Sequence, residues 1–65
     1  MLIIGYRGTV DWSKVKNVFK RCTDMSAAEI EKTVALIKKG QAVTIATDFV
    51  LHDELKDLGI TIKYL

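Results

Sequence analysis

The sequence predicts an α+β domain of order β-α-α-β-α-β, a two-layer sandwich whose three-stranded mixed sheet carries helices on one face. Three observations lead there. Short runs rich in β-branched residues alternate with longer stretches whose apolar residues recur every three or four positions. A capping box opens one of those stretches. Glycines stand where two of them should stop. At 65 residues the chain is expected to be a single domain, 1–65. A chain of that size buries only about 60% of its unfolded surface, so the core is small.

Leu2-Ile3-Ile4-Gly5-Tyr6 reads as the first strand, and Gly8 as a turn after it. Asp11 can cap a helix whose apolar face is Trp12, Val15, Val18, Phe19 and Cys22. Lys14, Lys16, Asn17, Lys20 and Arg21 fall largely on the opposite face. Ser26-Ala27-Ala28-Glu29 is the capping box of a second helix, with Ala27, Ile30, Val34 and Ile37 as its stripe. Lys38 and Lys39 suit the negative end of that helix, and Gly40 ends it. Residues 42–47 alternate Val43 and Ile45 with Thr44 and Ala46, the period of a half-buried strand. Thr47 or Asp48 then caps a third helix bearing Leu51, Leu55 and Leu58, with Gly59 as its stop. The last strand runs over residues 60–64, with Ile60, Ile62 and Tyr64 on one face.

The second strand, third helix and third strand form a crossover unit, which predicts two parallel strands joined in the right-handed sense. The connection leaves a gap between them. The first strand fits that gap, central and antiparallel to both.

Composition excludes several classes. Cys22 is the only cysteine and His52 the only histidine, so neither a disulfide nor a tetrahedral metal site is expected. No cofactor is expected either. A lone thiol favours a reducing compartment. No apolar run approaches the length of a membrane span, and Met1-Leu2-Ile3-Ile4 is too short for a signal core. A soluble cytoplasmic protein is therefore expected.

The net charge of +2 hides an asymmetry. Residues 12–22 hold Lys14, Lys16, Lys20 and Arg21 with no acid. Residues 48–58 hold Asp48, Asp53, Glu54 and Asp57 against Lys56 alone. The basic helix is the strongest functional candidate, set against the simpler reading of a solvated face. It would meet an acidic protein surface or, alternatively, nucleic-acid phosphates. The pI of about 8.8 is moderate for a nucleic-acid binder. Trp12 and Phe19 sit on the core stripe, where they cannot stack on bases.

The remaining candidates for chemistry read as structural. Cys22 closes an apolar stripe with no obvious base beside it. His52, next to Asp53, lacks an orienting group and a substrate site. Asp53, Glu54 and Asp57 read as a solvated acidic face or a dock for a basic partner. Gly5-Tyr6-Arg7-Gly8 follows a strand but matches no phosphate-loop pattern. No catalytic residue is expected. Exposed sheet edges, or Phe49 and Val50 beside the third helical stripe, offer routes to a homodimer.

With these elements in place, the chain resembles the C-terminal domain of the bacterial ribosomal stalk protein. That fold is shared with the adaptor that delivers N-degron substrates to the Clp protease. The family pattern T-G-L-G-L-K-E-A-K-x-L-V aligns with residues 23–34. Thr23, Glu29 and Val34 match, and Met25 stands for a leucine. Leu55, Gly59, Ile60 and Ile62 follow the closing L-x-x-x-G-x-x-V-x pattern. Asp24 and Ser26 replace both glycines of the helix junction, and Ala28 and Glu31 replace two lysines. The resemblance implies the fold and a basic first helix offered to translation GTPases, with Lys16 and Lys20 at the family's basic positions. A protein-binding module follows as the expected function. It would be a free-standing accessory or phage-type regulator docking through Lys14, Lys16, Lys20 and Arg21.

Overall fold

The computed structural model describes residues 1–46 and 48–64. Its elements are β1 (Leu2–Tyr6), α1 (Trp12–Cys22), α2 (Ala27–Lys38), β2 (Val43–Thr44), α3 (Phe49–Asp57) and β3 (Ile60–Lys63). The helix starts follow from side chains that satisfy first-turn donors. Asp11 accepts the Lys14 N–H at 3.3 Å, and Asp48 accepts the Leu51 N–H at 2.9 Å. Thr47, the alternative cap for α3, lies outside the described residues. Ser26 and Glu29 exchange both bonds of the capping box, at 3.2 and 3.1 Å. At the far end of α2, Gly40 adopts φ 79°. Its N–H reaches Ile37 O, and the Gln41 N–H reaches Leu36 O, so two carbonyls at the helix end are satisfied.

The strand order is β2-β1-β3, with β1 antiparallel to both neighbours. The expected central position of the first strand is thus observed. Every hydrogen-bonded ladder is antiparallel, so "mixed" describes only β2 and β3, which run parallel with β1 between them. β2 is shorter than the expected 42–47. It pairs through Val43 and Thr44, and then Ile45 and Met1 exchange two further bonds, N–H to carbonyl and ammonium to carbonyl, at 3.0 and 2.7 Å.

β1 contains a bulge. Ile3 pairs with Ile62 and Gly5 with Thr61, which leaves Ile4 without a partner. The extra residue shifts the in–out alternation by one step. Tyr6 therefore lies opposite the buried Ile60 and faces the helix layer. Its ring meets Trp12 edge-on at 4.9 Å, and its hydroxyl donates to Lys38 O. β3 stops at Lys63. Tyr64, expected to continue its inner face, instead lies partly exposed beyond the strand, against the His52 ring at 5.1 Å.

α2 lies on β1 and β2, α3 lies on β3, and α1 packs against α2 and α3. Ile3, Val15, Phe19, Val34, Ile37, Leu51 and Leu55 are the fully buried side chains. Burial of each contributes about 1.5–3 kcal/mol relative to exposure. The stripe of the first helix is buried at Val15, Val18 and Phe19, with Trp12 and Cys22 at its half-buried ends. Ala27 departs from expectation. It is the first residue of α2 and is exposed, so the stripe effectively starts at Ile30. Gly59 sits at φ 94° where α3 turns into β3. Its carbonyl accepts the Arg7 N–H at 2.8 Å, and a Cβ there would stand 3.0 Å from Arg7 O. Among the described residues no helix is long and apolar enough to cross a membrane.

Candidate functional site

The four cations of α1 divide between its two flanks. Lys14, Lys16 and Lys20 line a groove of about 550 Å³ between α1 and α2. Met25, Ala27 and Ile30 give that groove an apolar surface, and Glu31 is its one carboxylate. Arg21 lies on the other flank. With Lys14 it lines a shallower concavity of about 250 Å³ shared with Glu54 and Asp57 of α3.

Two of the four cations are already paired inside the molecule. Lys16 Nζ lies 2.8 Å from Glu31 Oε1. Arg21 Nη2 contacts both carboxylate oxygens of Glu54, at 3.1 and 3.2 Å. Lys14 and Lys20 are exposed and have no carboxylate at ion-pair distance among the described residues. The uniformly free basic face suggested by residues 12–22 is therefore narrower: α2 and α3 each neutralise one of its charges. The groove that remains combines an apolar floor with two unpaired ammonium groups. Such a surface can bury an apolar anchor and align acidic groups around it.

The sequence pattern pointed to the cations but not to the floor. In sequence, Met25 is only a substitute for a family leucine, and Ala27 and Ile30 fall on the core stripe. Ile30 serves both: it is buried, and its edge lines the groove.

The other candidates fall elsewhere. The Cys22 thiol donates to Glu54 Oε2 at 3.4 Å. Burial pushes its pKa up, the hydrogen bond and charge of Glu54 push the same way, and Arg21 opposes them. That environment works against a thiolate nucleophile. His52 is half-buried, with Nδ1 3.6 Å from Asp53 Oδ1 and the Tyr64 ring against it. Asp53 and Asp57 are exposed. The Glu29 carboxyl is held below the usual range by the Ser26 N–H and hydroxyl, so it stays ionised for the capping box. Among the described residues, no three His, Cys, Asp or Glu side chains gather as a metal would require. Phe49 and Val50 are 76% and 62% exposed on the first turn of α3.

No family model, no curated protein and no solved structure matches the chain.

Proposed function

We propose that the chain is a small non-catalytic protein-binding module that docks an acidic protein surface in the groove between α1 and α2. The observation that carries this reading is the pairing of an apolar floor, Met25, Ala27 and Ile30, with the unpaired Lys14 and Lys20 on its rim. Exposed ion pairs contribute about 0–1 kcal/mol each. The lysines therefore supply orientation and encounter rate, while the floor supplies most of the affinity. Lys16 adds to the rim when a partner carboxylate competes with Glu31. Arg21, held by Glu54, plays a smaller part. The reading agrees with the stalk-domain resemblance and a translation-related or phage-type accessory role in the cytoplasm. Phe49 and Val50 add a second apolar patch, through which we propose the module pairs with its own copy.

Capture from a cell lysate tests the docking surface. Immobilised wild type should retain acidic proteins identified by mass spectrometry, while Lys14→Glu/Lys20→Glu should lose them with an unchanged melt. Equal capture by the double variant refutes the assignment. Capture that disappears on nuclease treatment replaces it with the alternative reading, nucleic-acid binding through the same face.

A further inference from the structure

We propose that the concavity between α3 and β3 binds the phosphate group of a small phosphate monoester. Arg7, from the segment after β1, and His52 and Lys56 of α3 converge on a space of about 330 Å³. His52 and Lys56 are four residues apart, so the helix places them on one face. The opposite wall is Gly59 to Ile62 of the α3–β3 turn and β3. β3 pairs with β1 on one side only, so its other edge presents unpaired backbone groups.

The grooves beside α1 and the hollow at Cys22 each include a carboxylate in their lining, and this concavity does not. Lys16 and Arg21 of α1 are each neutralised by a carboxylate of a neighbouring helix. Arg7 and Lys56 have none at ion-pair distance among the described residues, and no Asp or Glu lines the concavity. Asp53 bears on it through its contact with His52.

The site is also held in shape. The Arg7 N–H is bonded to Gly59 O at 2.8 Å, and a Cβ added at Gly59 would stand 3.0 Å from Arg7 O. The His52 ring contacts both Asp53 and Tyr64. A preformed arrangement loses little ordering entropy on binding. A guanidinium fork and an ammonium suit a tetrahedral dianion, the fork by two parallel hydrogen bonds and the ammonium as a point charge. The volume accommodates a phosphate and a short substituent. Cations gathered in one small concavity favour a terminal phosphate over a nucleic-acid backbone, which needs cations spaced along a track. None of these residues lines the α1–α2 groove, so the inference stands apart from the docking function.

Amide and histidine side-chain NMR of the full chain tests it. Inorganic phosphate and glycerol 3-phosphate are titrated at fixed pH and ionic strength, with chloride as the control. The expected result is saturable shifts confined to Arg7, His52, Lys56 and residues 59–62, tighter for the monoester and absent with chloride. Lys56→Gln should weaken binding several-fold, and Arg7→Gln/Lys56→Gln at least tenfold, with melts unchanged because both side chains are exposed. Shifts that never saturate, that chloride reproduces, or that survive the double variant overturn the proposal. So does a phosphoserine peptide or an oligonucleotide that binds these residues tenfold tighter than the monoester.

Discussion

Replacing Gly59 with alanine should destabilise the domain more than replacing Gly40, although both adopt similar left-handed conformations, at φ 94° and 79°. The backbone strain is common to the two sites. Alanine in that region costs about 1–2 kcal/mol, offset in part by about 0.4–1 kcal/mol from its stiffer unfolded chain. Around Gly40 nothing lies within 4 Å of an added Cβ, so Gly40→Ala should lose about 1 kcal/mol. At Gly59 the Cβ meets Arg7 O at 3.0 Å. That oxygen is backbone, and it cannot rotate away as a side chain would. Relief requires the β1–β3 pairing to open where Arg7 N–H meets Gly59 O, a bond contributing about 0.5–1.5 kcal/mol. Gly59→Ala should therefore lose about 1.5–2.5 kcal/mol of a total near 3–10 kcal/mol for a chain this size. In a thermal melt that is a fall of about 6–20 °C, against about 4–8 °C for Gly40→Ala. Urea unfolding followed by far-ultraviolet circular dichroism, with equal slopes for both variants, gives the difference directly. Equal losses would show that the contact with Arg7 carries no energy and refute the reasoning.

The Cys22 thiol should react slowly with a disulfide reagent at pH 8 in the native protein. Glu54→Gln should speed it several-fold, because the variant removes the charge beside the thiol and frees Arg21; an unchanged rate contradicts the assigned cause. The same raised pKa favours the folded state below the ordinary thiol range and ceases to help as pH climbs through the folded value. Sedimentation equilibrium should show concentration-dependent pairing of the wild type and a monomer for Phe49→Asp. The variant should melt no lower, since Phe49 is exposed and an acid suits the first turn of a helix. A wild type that stays monomeric at every concentration removes the self-association reading.

Local chemistry made much of the fold legible. Asp11, the Ser26–Glu29 box, Asp48 and the glycines at 40 and 59 mark helix boundaries through bonds made within a few residues. Strand order followed from the gap a crossover leaves. The bulge did not show, because Leu2 to Tyr6 reads as one uniform apolar run and its phase is set by β3, far along the chain. For the same reason the partnership of Tyr6 with Trp12 had no local signal. The candidate site was half legible. A cluster of lysines and an arginine in one helix is visible in sequence. Which of them are spent on internal pairs depends on Glu31 and Glu54, supplied by two other helices. The cationic concavity at β3 was invisible, since Arg7, His52 and Lys56 belong to separate stretches that only the fold brings together.

Lysine footprinting of the captured complex tests the proposed α1–α2 docking surface most directly. Free and bound protein are labelled with an amine-reactive reagent and the modified positions read by mass spectrometry. Strong protection is expected at Lys14 and Lys20, partial protection at Lys16 because Glu31 already shields it, and none at Lys63 on the sheet. Protection at Lys63 or Lys56 with Lys14 and Lys20 fully labelled would contradict it.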